Sequence, residues 1–120
     1  MTRTTRTTPA RHPEHPETAR IRLEEVLSAL SDPIRLRIVH ELGRGHDDMA
    51  CIAFELPVSK STSTHHFRVL REAGIIHQYY EGTSRMSRLR TQDLEERFPG
   101  LLPAVLRARA MDTTEPDRTT

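Results

Sequence analysis

Apolar residues recur through the middle of the chain, first at helical spacing and later in alternation. Leu23, Val26, Leu27 and Leu30 stand at i, i+3, i+4 and i+7, which predicts a first helix beginning near Thr18. The SDP that follows opens the next helix. Asp32 can accept hydrogen bonds from free backbone amides, Pro33 suits the first helical position, and Gly43 is placed to stop the helix, giving a span from Pro33 to Leu42. After GRGHDD, whose glycines allow a turn and whose Asp47 or Asp48 can cap, Met49, Ile52, Ala53 and Leu56 predict a short third helix ended by Pro57. Ser59 is then a good N-cap for KSTSTHHFRVLREAG, and a fourth helix is expected from Ser59 to Ala73. Projected at ~100° per residue, Phe67 and Leu70 share a face with Ser63 and Gly74, while Ser61, Thr64, His65 and Arg68 occupy the opposite arc.

Beyond Gly74 the period shortens. IIHQYY reads as a strand, EGTS as a turn containing Gly82, and RMSRLR as a returning strand in which Arg85, Ser87 and Arg90 are set against Met86 and Leu89. A two-stranded hairpin is marginal alone, so it must lean on the helices. Leu94 and Phe98 mark a further helix from about Thr91, interrupted at FPG. Leu101, Leu102, Val105 and Leu106 then supply more apolar surface than a terminal segment needs, which a partner chain could cover. The polar, aperiodic ends read as disordered tails, 1–17 and 112–120, around one domain at 18–111.

A chain of 120 residues, 35% hydrophobic and 29% charged, suits one soluble domain. No apolar run approaches membrane-spanning length, and the Thr- and Arg-rich start lacks the apolar segment of a secretory signal, so a cytoplasmic location is the default expectation. The single cysteine, Cys51, leaves no intrachain disulfide framework. Net charge is only +1, but it is unevenly placed: residues 60–90 hold six basic and two acidic residues, whereas 18–59 and 91–120 each carry two more acids than bases. The positive block coincides with the fourth helix and the hairpin, as a polyanion partner would require.

The order of three helices, a polar-faced fourth, a hairpin and a closing helix is that of a winged helix-turn-helix, an α+β fold that is mostly α. Three stretches carry a more specific likeness. ALSDPIRLRIVHEL, SKSTSTHHFRVLREAGII and YYEGTSRMSRLR resemble, in order and spacing, the second helix, the turn with recognition helix, and the wing of the ArsR/SmtB-type bacterial transcriptional repressors. The resemblance spans roughly Leu23 to Leu106. It implies a homodimer paired through its terminal helices, with two recognition helices on a near-palindromic double-stranded DNA operator, released by a signal.

For DNA contact, the N-terminal part of a recognition helix reaches base edges in the major groove. Lys60, Ser61, Thr64, His65 and Arg68 are therefore the expected DNA-facing group, joined by Arg85, the wing arginine nearest the turn. A solvent-facing helix surface is the plainer reading of the same residues. His65 and His66 diverge by ~100° on a helix and do not suit one shared metal ion, so His66 is expected at the core boundary, satisfied by a backbone group. Tail residues His12 and His15 form no preorganised site. The resemblance also brings two metal-binding patterns into view, and neither is present. Aligned on Ile52 and Ala53, the positions of a cysteine pair hold Asp48 and Ala50, and no histidine follows His77 to build a site on the last helix. No metal or cofactor is expected.

Cys51 reads first as a small packing residue, with a thiol switch or a mixed site with His46, Asp47 or Asp48 as alternatives. Two other functions stay open: a winged-helix module that binds proteins instead of DNA, and a redox-responsive repressor using Cys51. An enzyme is not expected, because no nucleophile–base set, paired carboxylates or phosphate-cradling loop can be assembled here.

Overall fold

The computed structural model describes residues 13–45 and 48–113. A 3-10 turn at Thr18–Arg20 leads to α1 (Leu23–Leu30) and α2 (Pro33–Arg44), then β1 (Met49–Ala50), a second 3-10 turn at Cys51–Ala53, and α3 (Lys60–Glu72). The hairpin β2 (Ile76–Glu81) and β3 (Ser84–Leu89) follows, and α4 (Thr91–Arg97) and α5 (Leu101–Thr113) close the chain. This is a winged helix-turn-helix, mostly helical, with a small antiparallel sheet.

Local chemistry explains three helix ends. The Asp32 carboxylate accepts hydrogen bonds from the Ile34 and Arg35 amides at 2.8 and 3.1 Å, and Pro33 costs the first turn no needed donor. Ser59 Oγ accepts from the Thr62 amide at 3.2 Å, starting α3 where its sequence announces it. At the other end, Gly74 takes φ +87°, its amide bonds Arg71 O, and the Ile75 amide bonds Leu70 O at 3.0 Å. This pair of bonds with a left-handed glycine satisfies the last carbonyls and turns the chain into β2.

Three expectations about the helices are revised. The first helix starts at Leu23, because residues 18–20 form the 3-10 turn. Gly43 does not stop α2, which runs on to Arg44. A Cβ at Gly43 would lie 2.8 Å from Leu106 Cδ1, so this glycine admits α5 instead. The third helix is replaced by a strand and a single turn. Met49 and Ala50 pair with Ser87 and Met86, adding a third strand in the order β1-β3-β2. Met49, Cys51, Phe54 and Leu56 pack against the core from this irregular segment. Its apolar residues fit either period, and the free edge of β3 supplies backbone partners that one short helix, only about two turns long, could not match.

The core lies among α1, α2, α3 and the first residues of β2. Ile38, Val39, Leu70, Ile75 and Ile76 are fully buried, with Val26, Phe67, Leu94 and Leu102 beside them. The hairpin register pairs Ile76 with Leu89, Gln78 with Ser87 and Tyr80 with Arg85. A period of two therefore puts Arg85, Ser87 and Leu89 on one face and Met86 and Arg88 on the other, correcting the expected grouping of Arg85 and Ser87 with Arg90 against Leu89. Residues 13–17, expected in the tail, lie against the body: His15 stacks on His77 at 4.3 Å between ring centroids.

Candidate nucleic-acid interface

Helix α3 divides into two faces. His66, Phe67 and Leu70 are buried, and Phe67 meets the Phe54 ring edge-on at 5.3 Å. On the opposite arc Lys60, Ser61, Thr64, His65 and Arg68 are all exposed, so the helix brings together every residue expected on it. Thr64 Oγ1 donates to Lys60 O at 3.0 Å, an interaction that leaves its lone pairs facing outward. Arg68 Nη2 stands 3.5 Å from His65 Nδ1. Glu72 is the acid on the exposed surface of α3, at its C-terminal end, away from the N-terminal half that would reach base edges.

The adjacent histidines separate as their spacing requires. His65 is exposed and His66 is buried, its Nδ1 3.1 Å from Arg35 Nη1. Its partner is therefore a guanidinium from α2, whose Nε also donates to Ala29 O, in place of the expected backbone group. An arginine can only donate, so Nδ1 accepts and the ring is neutral; burial pushes its pKa down in the same sense. Among the described residues no group of three or more His, Cys, Asp or Glu could hold a metal ion. His12, His46 and Asp47 lie outside the described residues.

The sixth expected residue is placed differently. Arg85 is half-buried on the inner face of the hairpin, donates to Tyr80 Oη at 2.7 Å and lies over the Tyr80 ring at 5.1 Å. Arg88, on the outer face, is exposed.

Behind α3 lies a polar cluster that sequence reasoning missed. Gln78, almost fully buried on β2, accepts from Arg71 Nη1 at 2.9 Å and donates to Ser87 Oγ at 3.2 Å and to Cys51 Sγ at 3.6 Å. One amide thus ties the recognition helix, both wing strands and the turn before α3 together. The available signal is the alternation Ile76, Gln78, Tyr80, which puts a polar residue on the buried phase of a strand. Burial lowers the Arg71 pKa, and its buried Nε has no partner among the described residues. Burial also pushes the Cys51 thiol up, outweighing its hydrogen bonds to Ser87 and Gln78. Less thiolate at neutral pH means a less reactive sulfur, which favours the packing reading of Cys51.

Comparison with known proteins places this architecture. Residues 32–78, from the cap of α2 into β2, match the family described as bacterial regulatory protein, arsR family. The chain is 29% identical over 80 residues to an uncharacterized HTH-type transcriptional regulator, YceK, of Bacillus subtilis (strain 168), covering 65% of this chain and 80% of that protein. It is similar in structure to an ArsR-like transcriptional regulator from Rhodococcus sp. RHA1, with a TM-score of 0.54 and 26% identity, over 82% of this chain and 94% of that one.

Proposed function

We propose that the chain, which is similar to helix-turn-helix transcriptional regulators of the ArsR family, acts as a homodimeric repressor that binds a near-palindromic operator and is released by a signal. The observation that carries this reading is the outer arc of α3: five exposed hydrogen-bonding or cationic side chains, Lys60, Ser61, Thr64, His65 and Arg68, opposite a buried apolar seat. Lys60 and Arg68 suit phosphates or guanine edges, and the hydroxyls of Ser61 and Thr64 suit bases or backbone. Arg85, half-buried and hydrogen-bonded to Tyr80, adds less to this reading than the arc of α3 does.

A dimer is supported by apolar surface on the terminal helices. Leu23 and Leu27, one turn apart on α1, are 42% and 47% exposed and Met111 of α5 is 66% exposed, apolar surface that a second copy would cover. A protein-interaction module is disfavoured because α3 exposes no aromatic or aliphatic anchor. Among the described residues no helix is long and apolar enough to cross a membrane. Fluorescence anisotropy on duplexes from the protein's own promoter region tests the reading. The expected result is two chains per site and an affinity that falls steeply with salt; binding that ignores salt, or no binding, would overturn it.

A further inference from the structure

The polar stripe of α3 continues past Arg68. Thr64, Arg68 and Arg71 stand at i, i+4 and i+7, so Arg71 lies within ~20° of Thr64 around the helix and carries the stripe toward the hairpin that follows. Its half-buried side chain turns onto the inner face of that hairpin, where Nη1 donates to Gln78 Oε1 at 2.9 Å. Arg85 arrives on the next rung of the same face. Gln78 pairs with Ser87 and Tyr80 with Arg85, and same-face neighbours along a strand are ~7 Å apart. There Arg85 Nη2 donates to Tyr80 Oη at 2.7 Å. Guanidinium groups from Arg68, Arg71 and Arg85 are thus gathered where the helix meets the wing.

No carboxylate neutralises them: among the described residues the salt bridges are Arg22–Glu24 and Arg90–Asp93. Burial lowers the Arg71 pKa, and the charges of Arg85 and Arg68 push it the same way, against Glu72 and Tyr80. Like charges held together in this way favour an anion among them. Arg71 also has the donors for one. Gln78 occupies Nη1, and the side-on edge formed by Nε and Nη2 includes an Nε buried without a partner among the described residues. Such an edge matches two oxygens of a phosphate. We infer that Arg71 is a further DNA contact, a phosphate-binding residue that Gln78 holds at the joint of recognition helix and wing, with Arg68 and Arg85 beside it. This rests on the DNA-binding reading of α3 and extends it from helix to wing. The ligand is a backbone phosphate, because Arg71 stands in the last turn of α3, away from the N-terminal half that reaches base edges.

The test compares the full chain with its Arg71→Gln and Arg71→Lys variants by fluorescence anisotropy across a salt series, on a promoter duplex and on a scrambled duplex of equal length, with urea midpoints as the check on folding. Each phosphate neutralised contributes ~0.9 to the slope of log affinity against log salt, so with two chains per site Arg71→Gln should lower the slope by about 2 and weaken binding by about tenfold. The loss should be the same on both duplexes, because a phosphate contact carries no sequence information. Arg71→Lys keeps the charge without the fork, so it should keep the slope and bind within about threefold of the parent. Arg71→Met, which retains much of the apolar stem, takes the place of the glutamine variant if that one unfolds, with the same expectation. A purely structural Arg71 would shift the urea midpoint and leave the slope where it was, a result that overturns the contact. A loss confined to the promoter duplex overturns the phosphate assignment, and equal slopes for the lysine and glutamine variants overturn the part played by charge. Failure of the parent to bind either duplex overturns the DNA reading itself, a result distinct from the other three.

Discussion

Arg68 on α3 and Arg85 on β3 both belong to the basic block, yet the fold holds them differently. Arg68 lies on an exposed arc with only a long contact to His65, whereas Arg85 is half-buried, hydrogen-bonded to Tyr80 and stacked over its ring. The recognition helix has a dry seat and a wet face, and Lys60 and Arg68 on that face stand in water. The hairpin has an inner face that is itself a polar network, built on Gln78, Ser87, Arg71 and Cys51, and its nearest arginine is part of the packing. Equal charge along the sequence thus becomes unequal availability to a partner. A helix can turn one side entirely to DNA, while a short hairpin must spend one face on the helices that stabilise it.

The largest effect should come from removing the seat. Phe67→Ala deletes a buried ring that meets Phe54 and is expected to cost ~3–5 kcal/mol, read by urea denaturation. If it unfolds no more easily than the parent, α3 is not anchored as described. Next, Arg68→Ala should weaken operator binding by ~1–2 kcal/mol, roughly tenfold, with stability unchanged, whereas Arg85→Ala should change affinity by about threefold and also loosen the wing. Equal losses from the two, with no stability change in either, would erase the distinction between the elements.

The smallest effect concerns acid. His15 is held near 4, and burial also lowers His66 and His77, so the folded state resists protons that the unfolded chain takes up below about 6.5. Stability should therefore be full at neutral pH and decline as pH falls from 6.5 toward 4. His15→Ala should reduce that decline without abolishing it, because the other two histidines titrate in the same direction; urea midpoints at pH 7.5 and 5 measure the difference. A variant whose midpoint shifts as much as the parent's would show that residues 13–17 are not held through a neutral His15, which accepts from the Gln78 backbone amide at 2.9 Å.

Legibility followed the range of the forces involved. The caps at Asp32 and Ser59, the two faces of α3 and the turn at Gly82 were readable, because each rests on hydrogen bonds or periodicity within a few residues. Gly43 was readable as special but not for its reason, which is the approach of Leu106 from a helix some sixty residues away. His66 was readable as a boundary residue, but its partner Arg35 comes from another helix.

By itself the sequence determined the first two helices, the extent and polarity of the recognition helix, the hairpin after it, and the likeness to a family of regulators. Tertiary structure alone decided that residues 49–53 join the sheet, that Gln78 links helix to wing, that Arg85 turns inward onto Tyr80, and that residues 13–17 strap the edge of β2. Each of those outcomes satisfies a backbone or buried polar group with a partner distant in the chain. Such pairing carries no local pattern, because the desolvation cost it offsets exists only once the fold has closed around it.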